Sequence, residues 1–101
     1  MKRILEIDQE IDLHGFWPEV SSKEICDYIL EETLNFKKDN IRYARYIIGK
    51  GENSKNGPVV SEIAILFLES LVQSGIIKSY YYEKNIFNNT INKGAVIVKL
   101  F

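Results

Sequence analysis

Cysteine, histidine and long apolar runs are all scarce in this chain of 101 residues. Cys26 is the only cysteine, which excludes an intrachain disulfide and a zinc site built from several thiolates. No apolar run is long enough to cross a bilayer. The first residues alternate apolar and acidic side chains, unlike the uninterrupted apolar core of a secretory signal. We therefore expect a cytoplasmic protein without a membrane span.

The composition is that of a soluble globular domain, with 46% hydrophobic and 27% charged residues. Residues 1–101 are expected to form a single domain, with 1–9 as an extended N-terminal arm. The net charge of −1 hides an asymmetry: 1–36 carry three basic and nine acidic residues, whereas 37–101 carry ten basic and five acidic. A polyanion would be repelled by the first segment and attracted by the second, so net charge neither requires nor excludes nucleic acid.

Periodicity predicts the order β-α-β-α-β-β. Residues 4–13 alternate as in a strand, and Ser21 and Glu24 fit a capping box for a helix that runs to about Lys38. Its predicted apolar stripe consists of Ile25, Ile29, Thr33 and Phe36, with Cys26 and Leu30 beside them. The remaining predicted elements are a strand over 41–48, a more apolar helix over 58–73, and strands over 76–83 and 94–101.

The connections then define the fold class. A first helix used as a crossover makes the first two strands parallel, with a right-handed connection. The last strand is strongly apolar, which favours a central position, and the second helix is expected to be the better buried of the two. The expected fold is an α+β two-layer sandwich of two helices on a four-stranded mixed sheet.

One pair of residues near the end of the first strand suggests acid/base chemistry. Asp12 and His14 are two positions apart, so a strand projects both from the same face. A carboxylate beside an imidazole can fix the tautomer of the ring and favour its charged form. His14 is the only histidine in the chain. The competing interpretation is a structural hydrogen-bonding pair.

A second motif follows the second predicted strand. Gly49, Lys50 and Gly51 allow backbone N–H groups and one ammonium to approach an anion, with Ser54 and Lys55 further along the loop. If the first two strands are parallel, this loop and His14 lie at the same sheet edge, where open α/β sheets bind ligands. The spacing is not that of a Walker A loop, which excludes that kind of ATPase site. Taken alone, the motif is also compatible with an ordinary turn.

Together these segments resemble the Smr (small MutS-related) domain family. Ile11-Asp12-Leu13-His14-Gly15 resembles its LDLHG opening. The segment 47–51, with Ser54, Gly57 and Pro58, resembles its HGKG or TGKG motif, and 94–100 resembles its closing strand. The resemblance covers about 10–101, and it points to the stand-alone form of the domain.

The resemblance implies a fold similar to the C-terminal domain of bacterial translation initiation factor three. It also implies an endonuclease that nicks DNA or cleaves RNA, including messenger RNA at stalled ribosomes. Asp12 and His14 would be the catalytic pair, and the 49–51 loop would bind substrate. For RNA, His14 would accept the 2′-hydroxyl proton while Lys50 and loop amides stabilise the developing charge. For DNA, Asp12 would hold a divalent cation such as Mg²⁺ that activates water.

Two departures from the family pattern leave other functions open. Ile48 stands where the family often has His or Thr, and 91–94 keeps only the final glycine of a Gly-Gly-x-Gly turn. The first departure and the acidic first third favour a non-catalytic module that binds nucleic acid or the ribosome. A third alternative is a protein-interaction domain that uses exposed tyrosines. The alternating arginine and tyrosine side chains at 42–46 are expected to divide between the two faces of a strand.

Overall fold

The computed structural model describes residues 9–13, 22–49, 60–85 and 88–101. These residues contain four strands and two helices in the predicted order, so the α+β prediction is confirmed. The elements are β1 (Gln9–Asp12), α1 (Ser22–Lys38), β2 (Tyr43–Ile47), α2 (Val60–Gln73), β3 (Ser79–Asn85) and β4 (Thr90–Lys99). Residues 1–8 of the predicted arm 1–9, the cap at Ser21 and the first residues of the second predicted helix lie outside the described residues, whereas Gln9 is already the first residue of β1.

The strands form one mixed sheet in the order β1-β2-β4-β3. β1 and β2 are parallel, as the crossover predicted, and β4 pairs antiparallel with both β2 and β3. The apolar last strand is therefore central, as predicted. The pairing of β3 with β4 shifts register between Tyr82 and Glu83, which marks a bulge on the β4 side.

The core lies between the helices and one face of the sheet. Strand alternation sends every second residue into it: Ile11, Leu13, Ala44, Tyr46, Ile48, Val96, Val98 and Leu100. From α1, Ile25, Ile29, Thr33 and Phe36 of the predicted stripe are buried, whereas Cys26 and Leu30 beside them are half-buried. Asn40, with φ of 60°, follows the helix in the left-handed conformation that asparagine tolerates.

The second helix is less enclosed than its composition predicts. It buries Ala64, Leu68 and Leu71, but Leu66 is 73% exposed. Gly75, with φ of 80°, ends it as predicted, and its N–H donates to the Val72 carbonyl. In the part of the chain that the structure describes, neither helix has the length and apolar character needed to span a bilayer.

Candidate functional site at the carboxyl ends of β1 and β2

The carboxyl ends of the two parallel strands lie side by side. Asp12 is in register with Ile47, and the N–H of Leu13 donates to the Ile47 carbonyl at 2.7 Å. Neighbouring strands are about 4.8 Å apart, so the segments that leave β1 and β2 begin at the same sheet edge. The Asp-x-His segment and the glycine-lysine loop therefore start from adjacent strands.

Gly49 is hydrogen-bonded to β4 at this edge. The N–H groups of Ile48 and Gly49 both donate to the Gly94 carbonyl, at 2.8 and 3.1 Å. Gly49 has φ of 77°, a left-handed conformation that favours glycine. Gly94 is buried beside the bulge in β4. Three segments thus meet here: the ends of β1 and β2 and the bulged part of β4.

Asp12 supplies an exposed carboxylate at this edge. Its charge acts on Tyr28 of α1, a half-buried residue that packs against the core. Burial and then the neighbouring Glu32 carboxylate raise the pKa of the Tyr28 phenol, and the charge of Asp12 adds to the same shift. The β1 side of the edge is therefore acidic, in line with the charge asymmetry of the sequence.

The side chain of Ile48 has no place on the exposed part of this edge. It is 2% exposed and belongs to the core cluster. Alternation along β2 accounts for this, since Ala44 and Tyr46 point to the same side. Where the family often has His or Thr, this chain therefore has an apolar side chain that packs into the core between the sheet and the helices.

The described residues do not form a resident metal site. They contain no group of three or more carboxylate, imidazole or thiol side chains arranged to hold an ion. Magnesium is commonly held by one or two carboxylates together with waters and substrate phosphates. Asp12 would be only one such ligand, so the metal-assisted route remains a prediction.

Of the predicted site residues, Asp12 and Gly49 are brought to the same edge. His14, Lys50, Gly51, Ser54 and Lys55 lie outside the described residues, and their assignments remain predictions. Sequence reasoning did not predict that the Gly94 carbonyl anchors Gly49, or that the Asn92 side chain accepts from the Gly94 N–H at 2.9 Å. The glycine at 94 was the only sequence signal for this contact.

Other side chains that could take part in binding or catalysis lie away from this edge or are partly or fully buried. Tyr46 is buried, whereas Tyr43 and Arg45 lie on the other face, as alternation predicted. Tyr81 is 46% exposed on that face. Burial raises the pKa of the half-buried Cys26 thiol, which disfavours a reactive thiolate.

Comparison with known proteins identifies the fold. No protein-family model and no curated protein matches the sequence. Among solved structures, the chain is similar to the Smr domain of Thermus thermophilus MutS2, with a TM-score of 0.64 and 15% identity. The match covers 93% of this chain and 99% of that one. The chain thus has an Smr-like fold, as the sequence resemblance predicted, and at this identity the likeness concerns the fold alone.

Proposed function

We propose that this protein is a nucleic-acid endonuclease of Smr type that works at the carboxyl ends of β1 and β2. One observation carries the proposal: Asp12 ends β1 and Gly49 follows the end of the adjacent parallel strand β2, where its N–H donates to the Gly94 carbonyl. The Asp-x-His segment and the glycine-lysine loop begin side by side, so one phosphodiester can contact both. The Smr-like fold supports this assignment.

In the proposed mechanism, Asp12 favours the charged form of His14 and helps to fix its tautomer. With RNA, neutral His14 accepts the proton of the 2′-hydroxyl, and the oxygen then attacks the adjacent phosphorus. The P–O5′ bond breaks, the departing 5′-oxygen takes a proton from solvent, and a 2′,3′-cyclic phosphate remains. Backbone N–H groups of the 49–51 loop and the Lys50 ammonium stabilise the added negative charge. With DNA, which lacks that hydroxyl, water must be the nucleophile.

The test is a cleavage assay with purified protein on end-labelled single-stranded RNA and on supercoiled plasmid, with and without chelator. We expect wild type to cut one of them, and His14→Ala to lower the rate by about 10²–10⁴-fold, the usual contribution of general acid/base catalysis. Asp12→Asn should also lower the rate. Asp27→Asn is its matched control, because the Asp27 carboxylate is exposed and pairs with Lys23 on α1.

Each outcome of this assay has a defined meaning. Loss of activity on chelation would favour metal-assisted attack by water over the imidazole route. Equal cleavage by wild type and His14→Ala would contradict the catalytic pair. Salt-sensitive binding without any cleavage would favour the alternative, a non-catalytic nucleic-acid-binding module, for which the buried Ile48 and the acidic β1 side speak.

The loop is tested separately by binding. Lys50→Ala should weaken oligonucleotide affinity and reduce the salt dependence by the equivalent of about one phosphate contact. Lys78→Ala is the matched control, since Lys78 is exposed and lies far from the start of the loop. The Lys78 N–H donates to the Lys99 carbonyl, and Lys99 pairs with Tyr43 at the opposite end of β2. An identical loss in both variants would mean that general charge, and not the loop, holds the phosphate.

A further inference from the structure

We propose that Asn92, held by Glu83 and Arg45, is a positioning residue that fixes Gly94 and thereby the start of the glycine-lysine loop. The inference rests on the proposed function only for the role of that loop in phosphate binding. The structural part, the control of Gly49 by Asn92, stands on contacts within the described residues.

Both ends of the Asn92 side-chain amide are in use. Its Oδ1 accepts from the Gly94 N–H at 2.9 Å, and its Nδ2 donates to Glu83 Oε1 at 3.2 Å. These two contacts orient the amide group, because a flipped amide would put a donor against the Gly94 N–H and an acceptor against the carboxylate. Asn92 thus connects the backbone of β4 to a carboxylate on β3.

Glu83 is in turn fixed by Arg45 from the other side of β4. The Arg45 guanidinium donates twice, from Nε to Oε2 at 2.8 Å and from one terminal nitrogen to Oε1 at 2.9 Å. Such two-pronged pairs restrict orientation as well as distance. A terminal nitrogen of Arg45 also lies 3.4 Å from Glu10 Oε1. The network therefore links all four strands on the face opposite the helices.

Gly94 connects the Asn92 network to the candidate site through its two backbone groups. The Asn92 amide holds its N–H, and its carbonyl accepts from the N–H groups of both Ile48 and Gly49. The contact falls where β3 and β4 change register, so the regular sheet ladder does not by itself determine the path of Gly94. A side chain that fixes Gly94 at this bulge fixes the direction in which the chain leaves β2.

Amide hydrogen exchange measured by NMR tests the structural part. In Asn92→Ala we expect the Ile48 and Gly49 amides to exchange about three- to tenfold faster, the factor equivalent to one lost hydrogen bond. Amides in the middle of α1 should keep their wild-type rates. Asn88→Ala is the matched control, because Asn88 makes a similar local contact, accepting from the Thr90 N–H at 3.2 Å, in the turn before β4.

A second variant separates positioning from general stability. In Asn92→Asp the new carboxylate can still accept from Gly94, but when ionised it cannot donate to Glu83 and repels it. Protection of Gly49, corrected for intrinsic exchange, should therefore be low at neutral pH and recover in acid as the new carboxyl gains a proton. A uniform change at every amide, or unchanged Gly49 protection in both variants, would overturn the inference.

Oligonucleotide affinity distinguishes this inference from the proposed function. If both hold, Asn92→Ala weakens binding of a short single-stranded oligonucleotide about as much as it speeds Gly49 exchange, and Asn88→Ala does not. If wild type neither binds nor cuts, the proposed function fails while the Gly49 amide still reports on positioning. If wild type binds and Asn92→Ala leaves both affinity and Gly49 exchange unchanged, the positioning role fails alone.

Discussion

Two neighbouring residues of β2 anchor opposite faces of the sheet in different ways. Tyr46 points to the helices, is fully buried and shares a 2.6 Å hydrogen bond with the Thr33 hydroxyl of α1. Its ring centre lies 6.2 Å from that of Phe36. Arg45 points the other way, keeps 27% of its side chain exposed and lies between the carboxylates of Glu10 and Glu83.

The difference separates stability from geometry. A hydrogen bond deep in the core is costly to break, because the partner left behind has no water to replace it. Ion pairs near the surface contribute little free energy, since water and salt screen them, but a two-pronged pair still fixes orientation. We infer that the Tyr46 side of β2 stabilises the fold, while the Arg45 side sets the backbone near Gly94 and Gly49.

The largest expected effect comes from breaking the buried link. Tyr46→Phe should lower the free energy of unfolding by about 1–3 kcal/mol, because it leaves the Thr33 hydroxyl buried without its partner. Urea denaturation measures this. Thr33→Val should cost a similar amount, and the double variant should cost less than the sum of the two. Strict additivity would mean that the hydrogen bond contributes nothing.

Alkaline pH should weaken the same link. Burial raises the pKa of Tyr46 from its ordinary value of 10.0 to about 12, against the opposing hydrogen bond from Thr33. A group with a raised folded-state pKa gives its full stabilisation below its unfolded pKa, and loses it as pH rises through the folded value. Stability should therefore fall between about pH 10 and 12, and Tyr46→Phe should reduce that slope. An unchanged slope would assign the alkaline effect to other tyrosines.

The half-buried network around Glu83 should respond to acid instead, and less strongly. The hydrogen bonds from Arg45 hold the pKa of Glu83 below its ordinary value, and Asn92 adds to this. The resulting stabilisation is present above the unfolded pKa and is lost as pH falls through the lowered value. Glu83→Gln should flatten the acid part of the stability profile and cost less than about 1 kcal/mol at neutral pH. A loss as large as that of Tyr46→Phe would contradict the proposed division.

The smallest effect is expected at a pair with the same distance but full exposure. Lys23 Nζ lies 2.8 Å from Asp27 Oδ2, as close as Arg45 Nε lies to Glu83, yet the Lys23 side chain is 85% exposed. Lys23→Ala should leave the urea midpoint unchanged within error, because water screens the pair. A loss comparable to that of Glu83→Gln would show that distance matters more than burial and geometry here.

Much of the fold was predictable because it follows from local periodicity. The buried stripe of α1, the parallel pairing of β1 with β2 and the central place of β4 all came from residue spacing and apolar content. The exposure of Leu66 was not predictable. The apolar composition of α2 predicts a well-buried helix, but the sequence does not show how many sides of that helix other elements cover. The link from Arg45 through Glu83 to Asn92 joins three strands across a register shift, which no sequence spacing encodes.

The candidate site was predictable in outline for the same reason. Asp12 lies at the end of one strand and Gly49 follows the end of another, and a helical crossover makes these two strands parallel. Their meeting at one edge could therefore be deduced from the sequence. The role of the Gly94 carbonyl could not, because it depends on the bulge in β4. In the sequence, Gly94 was visible as the glycine that starts the last predicted strand and as the one retained glycine of the 91–94 segment, and neither observation by itself predicts this contact.

The most direct test of the central claim is an NMR titration with a short single-stranded oligonucleotide. We predict that the largest amide shifts occur at Asp12, Leu13, Ile48, Gly49 and Gly94, the described residues at the shared edge of β1, β2 and β4. Small shifts there, together with large shifts at Tyr43 and Tyr81, would place the nucleic acid on the open sheet face. That result would contradict a site at the carboxyl ends of the parallel strands.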